Sequence, residues 1–346
     1  MNKSLFLVAL GFLLVAAGCN EQRFQKAEDG SEYKIKVNKK GTLAVAGNIL
    51  QLEVLAKYGD SVLHSTSEFG MPSFVPYDTT NLPKFFRVIH EGDSVTIKES
   101  TDSIIAKNQS APWILPGKFI ITGIKVVKVI ANKETADSIQ KTFEPKARAI
   151  AYDKAVERIK KDLGKNADQM KTDDKIITDY IASKNLTNAK KTDWGAYAII
   201  TTPGTGPNLT RNDVAVINYT GKSFQDSAFD SNTDKKFEHM QPLYVDMGEF
   251  RVIPGWIDGL KYFNKGSKGK IVIPSFLAYG LNGAPPKIKP NENIVFDIEV
   301  TDIISHDAYQ KQMEEQQKMM QMMQQQMQQQ MQQQQQQQPQ APPAGK

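Results

Sequence analysis

VIPGWIDGLKYFNKGSKGKIVIPSFLAYG, residues 252–280, reads as a bend, one short helix, a tight turn and a strand. Pro254 and Gly255 break the preceding segment, Trp256, Leu260 and Phe263 recur at helical spacing, and Gly266 stops the helix. Ile271, Val272 and Ile273 are β-branched and strand-like. A lone short helix carrying a tryptophan cannot bury its apolar stripe alone, so other elements must wrap it. Two flanking segments qualify. VAVINYTG (214–221) and NIVFDIEVTDI (293–303) have the alternation and β-branched content of antiparallel strands buried on one face.

VINYTG, then Phe229-Asp230-Ser231, then VIPGW, AYG and VFDIEV follow in an order and at a spacing that resembles the FKBP-type peptidyl-prolyl cis-trans isomerases, the macrolide-binding immunophilins. The resemblance covers residues 193–304. It implies an antiparallel sheet wrapped around the short helix, an isomerase needing no cofactor and no metal, and unfolded or partly folded proline-containing segments as substrates. It places Trp256 as the floor under the prolyl ring and Tyr219, Phe229, Tyr279 and Phe296 as the walls. Val252 and Ile253 add rim contacts, the Ile253 amide and Tyr279 hydroxyl hold substrate carbonyls, and Ile288 is kept. Asp230 orients Tyr219 and faces the substrate amide; Lys235 and Lys236 are candidates for its basic partner. Macrolide inhibitors are a further partner the resemblance admits. Leu243, Ala284 and Lys287 depart from the family's rim, where Phe, His and Ile are common, and count against tight macrolide binding.

The chemistry suits such residues. Rotation about an X-Pro amide needs no nucleophile, but amide resonance sets a barrier of about 18–20 kcal/mol. A twisted amide has a less polarised carbonyl than a planar one, so a dry apolar cup favours it over the ground state. Any one of the five aromatics alone is ordinary core material. Their order together with Asp230 and the AYG tripeptide is what points to a pocket. The rival reading is a holdase chaperone or envelope assembly factor that binds proline-containing segments without turning them over.

Lys3, a continuous apolar run from Leu5 to Ala17 and then Gly18-Cys19 read as a secretory signal too short to span a bilayer comfortably. Cys19 is the only cysteine in the chain and follows small residues, which resembles the lipobox of a bacterial lipoprotein; the alternative is an ordinary signal peptide with a stray cysteine. The lipobox implies acylation at Cys19 and a place in the bacterial cell envelope, anchored by lipid to the outer membrane and facing the periplasm.

The remaining composition is that of a folded chain beyond a tether. A net charge of +5 with no basic cluster gives no footprint for nucleic acid. His64, His90, His239 and His306 are scattered without ligand-like spacing, and TPGTGP (202–207) lacks the lysine and helix of a phosphate loop. Residues 31–130 repeat the later pattern: a shift of 174 brings Gly92 onto Gly266, Ile120 onto Ile294 and Ile124 onto Ile298, and a shift near 166 brings Leu63-His64 onto Phe229-Asp230. This copy holds Val54 or Glu53, Leu63, His64, Leu82, Ile105 and Thr122 where the later one has Tyr219, Phe229, Asp230, Trp256, Tyr279 and Phe296. The expected architecture is therefore α+β: a signal peptide (1–18), a tether (19–30), a degenerate FKBP-like domain (31–130), a helical linker (131–192), the isomerase domain (193–304) and a Met/Gln-rich tail (305–346), disordered by default, with a frayed helix up to about Gln338 as the alternative. The linker reads as one helix after Pro145 ending at Gly164 and a second from about Thr172 to Asn185, serving as a spacer, a dimerisation pair or a client-holding surface.

Replacing Cys19 with Ser is expected to release the protein from membranes and abolish incorporation of labelled fatty acid. Unchanged fractionation and labelling would exclude the lipid anchor.

Overall fold

The computed structural model describes residues 23–336 apart from positions 29, 81 and 108–110. The apolar leader and Cys19 lie outside the described residues. The chain divides into two compact units at Ala147 and Arg148.

In the first unit, β1 (Gln25–Lys26), β2 (Glu32–Lys36), β3 (Ile49–Tyr58), β4 (Ser61–Ser65), a one-turn helix α1 (Thr66–Phe69), β5 (Ser73–Pro76), β6 (Ser94–Ser100), α2 (Thr101–Ala106) and β7 (Phe119–Ile130) form an antiparallel sheet ordered β1-β2-β6-β7-β3-β4, with β5 also on β3. The helix α3 (Lys133–Lys165) crosses the unit boundary and is followed by α4 (Ala167–Ser183). The second unit continues with β8 (Lys190–Lys191), β9 (Tyr197–Thr202), β10 (Asp213–Ser223), β11 (Ala228–Ser231), β12 (Leu243–Asp246), α5 (Pro254–Leu260), β13 (Lys268–Ile273), β14 (Ile294–Ser305) and α6 (His306–Gln336). Its sheet is ordered β11-β10-β14-β13-β9-β8, with β12 on β10.

These are one topology written twice, seven strands in the same sequence order. Ile49 pairs with Ile130 and Val214 with Ile304, so the equivalent strands are offset by 165 and 174 residues. Each copy carries its β-bulge at the same place, between Gln51 and Leu52 and between Val216 and Ile217. Gly92 and Gly266 both adopt positive φ and donate to equivalent carbonyls, Val126 and Val300. At this register Val54, not Glu53, stands in the place of Tyr219.

The helix expected after Pro145 starts twelve residues earlier and runs through the proline, ending one residue past Gly164. One lost hydrogen bond and a ring clash cost about 3 kcal/mol, which a helix of 33 residues absorbs. The second helix starts at Ala167, ahead of Thr172. Residues 148–192, expected as part of the helical linker, also pack on the second unit. Ile159 joins the main core of the second unit, and α4 covers the outer face of its sheet, with Ile177 fully buried against Tyr197, Ile199, Val272 and Val295. The Tyr180 ring stacks on Phe224 at 4.0 Å. Alternation explains why this helix has somewhere to go: these strands are apolar on both faces. The equivalent outward positions of the first unit are Glu32, Lys34, Lys98 and Ile121, three of them charged. Two smaller corrections follow. Gln25 and Lys26 of the tether pair with Tyr33 and Glu32, and residues 306–336 of the tail expected to be disordered are helical.

If α4 is part of this core, Ile177→Ala removes a fully buried side chain and should destabilise the second unit by about 2–5 kcal/mol. Chemical denaturation measures it; a loss under about 0.5 kcal/mol is what a free surface helix would give.

Candidate functional site

The floor of the site depends on how closely α5 lies on the sheet. A Cβ at Gly255 would stand 2.3 Å from Ile273 Cγ2, and one at Gly259 2.5 Å from Ile271 Cγ2. Only glycine lets the helix down to this level, and Trp256, Ile257, Leu260 and the following Phe263 are all buried as a result. The helix ends at Leu260, one turn sooner than its apolar spacing suggests, and Gly266 turns the chain at φ 82°.

Trp256 is 3% exposed and meets two rings nearly at right angles: Tyr219 at 5.2 Å and Phe296 at 4.8 Å between centroids, both at 79°. Phe229 stands perpendicular to Phe296 at 5.7 Å. Edge-to-face packing of this kind fixes ring orientation as well as burying area. Gly221 makes room for it, since a Cβ there would lie 2.6 Å from both Phe229 and Phe296. The rim is more open. Tyr279 is 38% exposed, Val252 and Ile253 are half-buried, and Ile288 is buried in the same cluster as those two, held by reciprocal backbone hydrogen bonds with Ala284. The turn leading to Tyr279 is clamped from α4: the buried Asp173 carboxylate accepts from the Ser275 N–H at 3.0 Å and the Ser275 hydroxyl at 2.7 Å.

At the mouth, the Tyr219 hydroxyl donates to Asp230 Oδ2 at 2.8 Å. Burial, and then the accepting carboxylate, push the Tyr219 phenol well above its ordinary range. Burial and the charge of Asp230 raise Tyr279 in the same direction. Both phenols therefore keep their protons at neutral pH and remain donors. The basic partner of Asp230 is neither Lys235 nor Lys236. Those two sit in a single 3-10 turn capped by Asp234, and Lys236 pairs with that cap at 3.1 Å. Instead His239 places Nε2 3.0 Å from Asp230 Oδ1, while its Nδ1 lies 2.6 Å from the Phe237 carbonyl. Lys235 and Lys236 are the nearer cations in sequence, but the turn points the chain so that the histidine arrives at the carboxylate. Buried Asn232 braces the strand beneath, accepting from the Tyr219 N–H at 2.7 Å and donating to the Ile217 and Gln241 carbonyls.

The first unit has the frame without this furniture. Val54, Leu63, His64 and Thr122 occupy the positions of Tyr219, Phe229, Asp230 and Phe296. The stretch aligned with α5 is a 3-10 turn at Lys84–Phe86, with half-buried Leu82 where Trp256 would be and half-buried Ile105 for Tyr279.

Sequence reasoning also missed Asp258, on the far side of α5 from the rings. It is fully buried, accepts from the Thr192 hydroxyl and the Trp194 N–H, and leaves Oδ1 without a hydrogen-bond partner, 3.9 Å from the Lys261 ammonium. Desolvation holds its carboxyl above the ordinary carboxylate range.

Residues 206–301 match the family model described as FKBP-type peptidyl-prolyl cis-trans isomerase. The chain is 32% identical over 189 residues to the probable FKBP-type peptidyl-prolyl cis-trans isomerase of Haemophilus influenzae, covering 53% of this chain and 71% of that one. It is 39% identical over 118 residues to FkpA of Buchnera aphidicola, covering 34% of this chain and 44% of the relative. The crystal structure of FkpA from Escherichia coli aligns with a TM-score of 0.33 at 28% identity, over 50% of this chain and 74% of that one.

The burial of Asp258 sets a pH dependence. A carboxyl whose folded pKa is raised favours the fold below its unfolded pKa, and that contribution is lost as pH rises through the folded value. Asp258→Asn should therefore gain stability relative to the native chain at neutral pH, with the gain shrinking as pH falls toward the ordinary aspartate range. Melting temperatures of both proteins across pH 3.5–8 test this.

Proposed function

The chain belongs to the family of FKBP-type peptidyl-prolyl cis-trans isomerases, and we propose that its second unit rotates X-Pro amides of exported or envelope proteins in the cup formed by Trp256, Tyr219, Phe229, Phe296 and Tyr279. The observation that carries this is one buried indole walled by perpendicular rings, with a carboxylate only at the mouth. The prolyl ring lies on Trp256, in surroundings that offer little to the dipole of a planar amide and penalise a twisted one less. Tyr279 and the Ile253 amide hold the flanking carbonyls. Asp230, steadied by Tyr219 and His239, faces the amide as it turns. Val252 and Ile288 complete the apolar rim. Clients are unfolded or partly folded segments containing proline, and rotation of their amides removes a step that takes tens to hundreds of seconds unaided.

The first unit is the non-catalytic partner, with His64 in the place of the acid and Leu82 in the place of the indole. Lipid on Cys19 would hold both units in the bacterial envelope, at the outer membrane and facing the periplasm; two or more acyl chains are needed for stable anchoring. Macrolides would enter the same cup, with Leu243, Ala284 and Lys287 offering a rim poorer in aromatic contact.

Two substitutions separate isomerase from holdase. Trp256→Ala empties a buried site and costs about 3–5 kcal/mol, so lost activity there is ambiguous. Asp230→Leu is gentler, because the carboxylate is more than one-third exposed. It should stay folded and bind a proline-containing peptide within a few-fold of the native chain, while its isomerisation rate falls at least about tenfold, or 1.4 kcal/mol of transition-state stabilisation. Magnetisation transfer on a short X-Pro peptide measures the rate. A native chain that suppresses client aggregation without speeding exchange would favour the holdase.

A further inference from the structure

The helix α6 begins firmly packed. His306 Nδ1 lies 2.6 Å from Asp246 Oδ2, and Tyr309 stacks on Tyr244 at 5.4 Å. Met313 is half-buried; beyond it every described side chain is exposed. From Met319 to Met331 the sequence consists of methionine and glutamine alone. Seven of the twelve methionines of the chain fall between positions 313 and 331. At about 100° per residue, Met319, Met320, Met323, Met327 and Met331 share an arc of roughly 120°, and each of the five is 51–64% exposed. Met323 is the centre of the group, with Met319 four residues before it, Met320 three before and Met327 four after. Side chains at these separations are neighbours, with Cβ atoms about 5–6 Å apart, and the three rotatable bonds of methionine let the sulfurs converge further.

We propose that this face of α6 is a soft-metal site, in which the thioethers of Met323, Met319, Met320 and Met327 take a monovalent copper ion. The donor set decides the metal. Thioethers are soft, neutral ligands that suit Cu(I), whereas zinc takes imidazole, thiolate or carboxylate and calcium and magnesium take oxygen ligands, carboxylates foremost. No such side chain occurs from Met319 to Gln336, so a hard or borderline cation finds no ligand other than glutamine amides there. Cu(I) also needs no charged ligand and tolerates three-coordinate geometry, which one face of one helix can supply. A helix is a good carrier for it: the root at His306 and Tyr309 fixes the start, and glutamine and methionine both have high helix propensity. The metal in turn would tie successive turns of an otherwise unsupported helix together.

The test uses the full chain carrying Cys19→Ser, so that no thiol competes. Cu(I) is supplied anaerobically in competition with a chromophoric Cu(I) chelator, and the ε-methyl resonances of 13C-labelled methionine are followed in parallel. The native α6 should remove about one equivalent of Cu(I) from the chelator and shift the methyl signals of Met319, Met320, Met323 and Met327. Replacing these four with Leu keeps the apolar stripe and the helix but removes every sulfur; it should weaken Cu(I) binding at least tenfold, leaving helicity and X-Pro isomerisation unchanged. Met322→Leu, on the flank of the arc, should leave affinity within about twofold. Equal Cu(I) uptake by the native and four-Leu chains would overturn the proposal. So would a stripe that mediates self-association or holds apolar peptides in both chains, with no uptake dependent on methionine.

Discussion

The contact between α5 and the sheet governs the rest of the second unit. Ile271 and Ile273 occupy the space in which Cβ atoms at positions 259 and 255 would stand. Because the helix can come down this far, Trp256 sits low enough for Tyr219 and Phe296 to meet it edge-on, and the cup acquires a floor. Adding even one methyl group at either glycine would lift the helix or displace an isoleucine from a core whose packing has little slack. The site is thus built from absences as much as from side chains: Gly221 does the same for the wall, leaving room for Phe229 against Phe296.

Much of this was legible before any coordinates, because its signals are local. The alternation in VAVINYTG and NIVFDIEVTDI, the breakers around PGW and the aromatic order each depend on neighbours in sequence. The repeat was legible for the same reason, and strand pairing then fixed Val54 opposite the place of Tyr219. What escaped depends on partners far along the chain. The spacing that marks α4 as a helix does not say what it covers, which is four outward side chains from strands β9, β13 and β14. Pro145 looked like a helix start because its local cost is plain, whereas the helical turns on either side that outweigh it are not. His239 reaches Asp230 only through the turn at 235–237, and Asp258 finds Thr192 more than sixty residues away.

Comparing the two copies shows which features the frame requires and which the pocket requires. Strand order, the bulge in the long strand and the positive-φ glycine survive in both. The helix under the pocket does not: in the first copy it shrinks to a 3-10 turn, and the ring positions become aliphatic or polar. A sheet of this topology closes on Leu50, Ile89, Val95 and Val126 with Tyr77, Phe85 and Phe86, without help from a tryptophan. The strand frame therefore does not require aromatic residues at these positions, although in the second unit Trp256, Tyr219, Phe229 and Phe296 are part of its main core.

The clamp from α4 carries a consequence for where the catalytic module begins. The match to the family model starts at residue 206, but the helix that grips Ser275 and roofs Val272 and Val295 lies wholly before it. A protein cut at that border would expose an oily sheet back and free the loop bearing Tyr279, so that poor solubility and a slack pocket would arrive together. The stretch matched by the family model and the mechanical unit differ by some forty residues, whereas the 189-residue match to the Haemophilus influenzae relative is long enough to take in α4. Insertion or loss of that segment is a change to the candidate site made from outside it.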